Sequence, residues 1–315
     1  MKAKAKAKAG ALGTLALAIL MLAGCGAAPA EAASGQPIQA TDMLGRQIAL
    51  DAPAERVVAL APSDCEILYA LGAGDALVGR GMYCDYPAQV QAVPQVGTGE
   101  ETNLEQILAL EPQVVFMTIM AQSKEQVAAL EHAGIQVVSL NAQDIQGVYQ
   151  AIALIGQVMG KTPEADALIQ AMEASFADLS AQAAELGTGG TVYFETSPLE
   201  WGLWTGGKGT FLDEIAAMLG LENAFGDVEG WAQISQEQVL ERDPDYIVTL
   251  GMAAADGSSP VEEILARKGW EGLKALQRGQ VLWLDSNALT RPGPRLAEGA
   301  QSLFDGVYGA APANP

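Results

Sequence analysis

Histidine is nearly absent from this 315-residue chain; His132 is the only one. A zinc site built from several imidazoles is thereby excluded, and a serine–histidine–aspartate triad is left with a single candidate base. That candidate ends an expected helix just before Gly134, where a cation satisfies terminal carbonyls, so a capping or surface place suits it better than catalysis. Basic residues are also scarce, 17 against 38 acidic. Such a chain repels phosphate backbones and anionic lipid surfaces, which argues against nucleic acid as a partner. Three cysteines are too few for a disulfide framework. Beyond Met21 no apolar run is long enough to cross a membrane.

What the N-terminus does contain sets an expected compartment. Lys2, Lys4, Lys6 and Lys8 precede an apolar run from Ala11 to Met21, which ends in Leu22-Ala23-Gly24-Cys25. Charged, apolar and small-residue regions in that order predict a signal peptide over residues 1–24. Removing it removes four basic residues and no acid, moving the formal charge from −21 to −25. The stretch that follows, rich in Ala, Pro, Gly and Ser, predicts a flexible tether over 25–37. The rest is longer than one core usually holds, so two lobes are expected.

Short apolar runs separated by helical patterns then predict parallel sheets with helices on their faces. In the first half the strands are RVVAL (56–60), ALVGR (76–80), QVVFM (113–117) and IQVVSL (135–140). Ser63 or Asp64 is the expected cap of a helix that Gly72 closes, and a further helix is expected from Ser123 to His132. From 144 to 186 the spacing becomes helical throughout, with Thr162 as expected cap and Pro163 in the first turn. After Gly187 the alternation resumes with TVYFE (191–195), a helix over 210–219, YIVTL (246–250), VEEILA (261–266), QVLWL (280–284) and a final helix from Arg295 to about Tyr308. The expected architecture is α/β: two Rossmann-like lobes, 38–160 and 188–315, joined by one long helix over 161–187.

One unit occurs twice. TNLEQILALEPQVVF (102–116) and ISQEQVLERDPDYIV (234–248) align without gaps at an offset of 132 positions. Proline chemistry explains the shared stop at Pro112 and Pro244, and packing explains the leucines. Neither explains Glu105 and Glu237 at equivalent places in the first turn. A helix-dipole role accounts for either glutamate alone but less well for the matched pair.

The remaining candidates gather after strands, where open parallel sheets bind ligands. Tyr83 and Tyr86 follow the second strand, Trp201 and Trp204 follow TVYFE, Trp231 precedes the second repeat helix, and Arg291 and Arg295 follow the last strand. Aromatic faces with guanidiniums suit a large, flat, partly apolar ligand carrying some negative charge. TGGKGTF (205–211) lacks the spacing of a phosphate loop and reads as a glycine-rich turn with Thr210 capping the next helix. Cys65 and Cys84 each follow a strand; a disulfide and two free thiols are both open.

Taken together, the Leu-Ala-Gly-Cys start, APSDCEILYALGAGDALVGRGMYCDYP, NLEQILALEPQVV, GWAQISQEQVLERDPDYIV and RPGPRL resemble the substrate-binding proteins of ABC importers for cobalamin, haem and ferric siderophores. The likeness runs from about Ile38 to Tyr308. It implies a lipid-anchored extracytoplasmic monomer with Cys25 as the acylated residue, and no enzymatic activity or resident cofactor. A corrinoid or ferric chelate would be carried between the lobes to a permease and its ATPase, with haem or a bare metal ion as alternatives. By motif match, Glu105 and Glu237 would dock on permease arginines. Tyr83, Trp204, Trp231 and Arg291 are the candidate ligand-binding residues, three of them on ligand-contacting positions of the family's cobalamin binder. Departures from that binder are Thr118 and the segment GTGEET, where it has tryptophans, and Asn287, where it has aspartate.

Overall fold

The computed structural model describes residues 36–97, 103–118, 123–187, 189–251 and 259–309. It begins with an antiparallel ribbon of β1 (Ile38–Thr41) and β2 (Gln47–Leu50). The first lobe then alternates β3 (Val57–Ala59), α1 (Pro62–Ala70), β4 (Leu77–Arg80), α2 (Leu104–Ala109), β5 (Val114–Thr118), α3 (Lys124–His132), β6 (Gln136–Leu140) and α4 (Ile145–Val158). Its sheet has the order β4-β3-β5-β6, all parallel. Val57, Val114, Val115 and Phe116 are completely buried, as expected for strands covered on both faces.

Helix α5 (Thr162–Leu186) follows. At about 1.5 Å per residue its 25 residues extend roughly 37 Å. Ala165, Met172, Phe176, Leu179 and Ala183 form its buried stripe, at the spacing of one helical face. Gly156 of α4 allows a close crossing, since a β-carbon there would lie 2.5 Å from that of Ala165. The helix starts one residue earlier than its sequence suggests: Thr162 is already helical and Lys161 occupies the cap without a side-chain bond. Proline at the second helical position supplies the pre-set φ instead.

The second lobe contains β7 (Gly190–Glu195), β8 (Leu203–Gly206), α6 (Phe211–Met218), β9 (Leu221–Asn223), β10 (Trp231–Ile234), α7 (Gln236–Arg242), β11 (Tyr246–Thr249), α8 (Pro260–Leu265), α9 (Lys274–Gln277), β12 (Val281–Trp283), α10 (Ser286–Thr290) and α11 (Leu296–Tyr308). Its parallel sheet has the order β12-β11-β7-β9. Strands β8 and β10 form a separate antiparallel ribbon. The two-lobed α/β architecture expected from the sequence is the one found.

The repeat extends to the backbone. Asn103 and Ser235 cap α2 and α7 by accepting from the amides of Gln106 and Gln238. Each helix is followed within two residues by one in the left-handed region, Glu111 (φ 48°) and Asp243 (φ 45°). Among the described residues these are the only non-glycine positions with positive φ, and each immediately precedes the repeated proline. The residue before a proline is pushed out of the helical region, and a local reversal to left-handed backbone ends the helix before each strand.

Candidate functional site

A cavity of about 580 Å³ lies where the carboxyl ends of both sheets meet. Thr118 at the end of β5 and Leu140 at the end of β6 line it from the first lobe, with Asn141, Ala142 and Gln143 beyond. Thr196 after β7, Phe211 of α6 and Ser286 and Thr290 of α10 line it from the second. This is the place where open parallel sheets present their loops, and the volume suits a small-molecule ligand. A second cavity of about 470 Å³ adjoins it through shared Thr196 and Ser286, with Trp201, Trp283 and Asn287 on its walls.

Trp204 and Trp231 both face the main cavity, but not from loops. They belong to the antiparallel ribbon, where Trp204 pairs with Gln233 and Trp231 with Gly206. Four-residue strands are too short to show alternation in sequence, so the ribbon was not legible there. Pairing gives both indoles a firmer base than a loop would. Trp231 is further held edge-on against Phe211, centroids 5.2 Å apart, while Trp204 keeps 40% of its surface exposed. Phe211 itself went unnoticed in the sequence, where its place after the Thr210 cap reads as ordinary helix packing; Thr210 does cap α6, accepting from Asp213.

Arg291 is placed beside the cavity rather than on its wall. Thr290 and Pro292 line the space, whereas the guanidinium turns to acids of the first lobe. Its Nη1 donates to Glu66 Oε1 at 3.0 Å and to Asp85 Oδ1 at 2.6 Å, and Nη2 donates to the Tyr83 carbonyl at 3.4 Å. Arg295 completes the cluster through Glu66 and Asp285 and stacks over the Tyr86 ring at 4.3 Å. The hydrogen bond from Arg291 holds the Asp85 carboxyl below the usual carboxylate range. Tyr83 is 61% exposed and is not among the described residues of the cavity wall. A second link between lobes runs from the Phe211 amide to the Gln143 carbonyl, 3.0 Å, and from the Ile145 amide to Glu214 Oε2, 2.7 Å.

Asp64 also lines the main cavity. It does not cap α1, and neither does Ser63: Ala61 takes that position with no side-chain bond, and Pro62 starts the helix. Burial pushes the Asp64 carboxyl up to about 7, against the pull of hydrogen bonds from the Ser63 side chain and the Ala61 backbone. The neighbouring Cys65 and Cys84 are free and buried. Cys65 lies within α1, not at a strand end. Both thiols donate to the Ala59 carbonyl, at 3.8 and 3.9 Å, and the hydrogen bond to Cys84, then burial, pushes the Cys65 thiol up.

Glu105 and Glu237 stand one residue inside α2 and α7, and both are exposed. The backbone amide and then the Ser235 side chain hold Glu237 below the usual range, keeping it charged. Cys25 lies outside the described residues. Among those described, no group of three or more His, Cys, Asp or Glu side chains is placed to hold a metal ion, and no helix is long and apolar enough to cross a membrane.

Comparison with known proteins gives a consistent result. The sequence pattern described as periplasmic binding protein matches residues 57–288. The uncharacterized ABC transporter substrate-binding lipoprotein YvrC of Bacillus subtilis is 33% identical over 277 residues, 86% of each chain. The vitamin B12-binding protein of Salmonella choleraesuis is 30% identical, over 81% of this chain and 90% of its own. The crystal structure of the periplasmic vitamin B12 binding protein BtuF of Vibrio cholerae superposes with a TM-score of 0.68 at 27% identity, covering 81% of this chain and 97% of that one.

Proposed function

The chain belongs to the periplasmic binding protein family, and on that premise we propose that it captures a corrinoid or a ferric siderophore between its lobes for an ABC importer. The family binds solutes for transport, so the protein is an extracytoplasmic carrier and not an enzyme. The observation that carries the reading is the cavity at the meeting of two sets of strand ends, with Trp204 and Trp231 on one wall. Flat aromatic faces on a paired ribbon suit a planar or partly apolar chelate.

Three further assignments go with it. Cys25 is the acylated residue, residues 1–24 being the cleaved signal and 25–37 the tether, so the protein is attached to the membrane by lipid. Lobes 38–160 and 188–315 flank the joining helix 161–187 in a monomer. Glu105 and Glu237 are the docking carboxylates for the permease. Their exposure and equivalent helix positions support this, because two charges at a fixed separation define a register and mainly govern encounter and orientation. Tyr83 and Arg291 contribute to ligand capture from the cleft edge, Arg291 through its hold on Glu66 and Asp85.

The test is tryptophan-fluorescence titration of the purified protein with cyanocobalamin, cobinamide, haemin and several ferric siderophores. Saturable quenching by a corrinoid or a siderophore is the expected result. Quenching by haemin alone would move the assignment to haem capture, and quenching by none would remove chelate capture.

A further inference from the structure

Asp64 is the one ionisable side chain among the described residues lining the main cavity, and its setting is unusual. Only 1% of its surface is exposed. Oδ1 accepts from the Ser63 hydroxyl at 3.3 Å, whereas Oδ2 is buried with no hydrogen-bond partner among the described residues. A buried acid with an empty acceptor costs stability unless something completes it. Helix capping does not explain it, because Ala61 and Pro62 start α1 without it. An exposed acid would serve the helix dipole equally well without the desolvation.

The surroundings limit what can complete it. No lysine or arginine is among the described residues of the cavity wall. Segments 98–102, 119–122 and 252–258 contain none in their sequence. The guanidiniums of Arg291 and Arg295, beside the cavity, meet three carboxylates, those of Glu66, Asp85 and Asp285. That cluster has an excess of negative charge and no guanidinium left over for an anionic ligand.

Resting on the capture reading above, we infer that Asp64 is the specificity-determining residue of the cleft: Oδ2 pairs with an N–H or O–H group on the rim of an uncharged metal complex, and the site rejects chelates whose rim carries carboxylates. A carboxamide rim fits best, since it offers a donor to the charged acid and both donor and acceptor to the neutral one. Burial pushes the carboxyl up to about 7, so both forms are available near neutrality. A ligand carboxylate finds repulsion from the charged form and no cation on the wall to offset it. Discrimination then comes from an unfavourable contact against the wrong ligand as much as from a good one with the right ligand.

The experiment titrates wild type, Asp64→Ala and Asp64→Asn with cyanocobalamin, uncharged ferrichrome and haemin, which carries two carboxylates, with circular dichroism on each variant. Wild type is expected to bind one of the uncharged probes at least about tenfold more tightly than haemin, the scale of one buried polar group left unpaired. Asp64→Ala should weaken that probe by about tenfold and narrow its advantage over haemin. Asp64→Asn, which keeps shape and removes the charge, should narrow it chiefly by improving haemin; it carries the test if the alanine variant fails to fold. Haemin bound by wild type as tightly as the tighter-binding uncharged probe, or an unchanged ratio in the folded variants, would overturn the inference while leaving chelate capture standing. Binding of none of these probes, nor of cobinamide and the other ferric siderophores, by wild type would overturn the capture reading, and this inference with it.

Discussion

Arg295 holds Glu66 through two nitrogens, Nε to Oε2 at 3.0 Å and Nη2 to Oε1 at 2.8 Å, across 229 positions of sequence. One residue starts the last helix and the other sits in the first helix of the opposite lobe. Both are buried. The pair fastens the lobes beside the cavity, and Arg291 adds a third bond to the same carboxylate.

Breaking that fastening should be costly. Arg295→Ala leaves the buried Glu66 carboxylate with Arg291 alone, so it is expected to destabilise the protein by about 3 kcal/mol in urea unfolding, the low end for a broken buried pair. The loss should shrink in Glu66→Gln/Arg295→Ala, where the under-compensated carboxylate is gone and Arg291 keeps Asp85. Equal losses in single and double variants would show that the loss does not come from the Glu66 carboxylate left behind.

Trp204→Ala and Trp231→Ala should each weaken chelate binding by about 1–3 kcal/mol, the scale of an aromatic wall in a desolvated cleft. Trp231→Ala should also cost some stability, because Phe211 loses its edge contact. Arg291→Ala is expected to act differently, lowering unfolding stability together with affinity, since its bonds run to Glu66 and Asp85. Normal affinity in both tryptophan variants would place the ligand elsewhere.

The pH dependence of stability follows from Asp64. Its carboxyl has an ordinary value of 3.8 and stands at about 7 in the folded protein, so folding favours the proton. The associated stability is fully present below about pH 4 and is lost as pH rises towards 7, by about 4 kcal/mol over the whole interval. Asp64→Asn has no such slope. The difference in unfolding free energy between variant and wild type should therefore move in favour of Asn from pH 4 to pH 7 and level off above. A difference independent of pH would mean that the acid is solvated. Asp85 acts in the opposite sense: Arg291 lowers it, so its contribution is present above the carboxylate range and fades only as pH falls through it.

Glu105→Ala and Glu237→Ala should bind ligand as wild type does and lose uptake, with the double variant losing more than either single one. Uptake of labelled ligand by cells, set beside titration of the same variants, decides it. Wild-type uptake in the double variant would leave the glutamates as helix-end residues. Likewise Cys25→Ser should yield a folded protein released from membranes; if it stays with them after high-salt washing, the lipid anchor is wrong.

The fold was legible wherever one local signal determined an element. Helix stops at Gly72, Gly134 and Gly187 are each marked by a glycine in the positive-φ region, and the repeat at an offset of 132 could be followed from letters to backbone angles. Strands β1, β2, β8, β9 and β10 were not anticipated, being three or four residues long and outside the longer apolar runs. The site was legible by residue type more than by placement. Trp204 and Trp231 were expected in loops and are in a ribbon; Arg291 was expected to meet ligand and meets Glu66 225 positions away. Asp64 was read as a cap because only tertiary packing buries it. Charge pairing and burial across lobes leave no mark in a local stretch of sequence.

All strands of the first sheet precede α5 and all those of the second follow it, so the backbone passes between the sheets once. A molecule joined in this way is divisible. A chain interrupted just after Gly187 would leave each sheet covalently whole, with every strand-to-strand bond intact. Its two fragments would meet again through Glu66 with Arg295, Gln143 with Phe211, and the stripe of α5 against its neighbours. Reassembly would then depend on whatever fills the cavity between them, so a split form of this protein would report the presence of its own ligand.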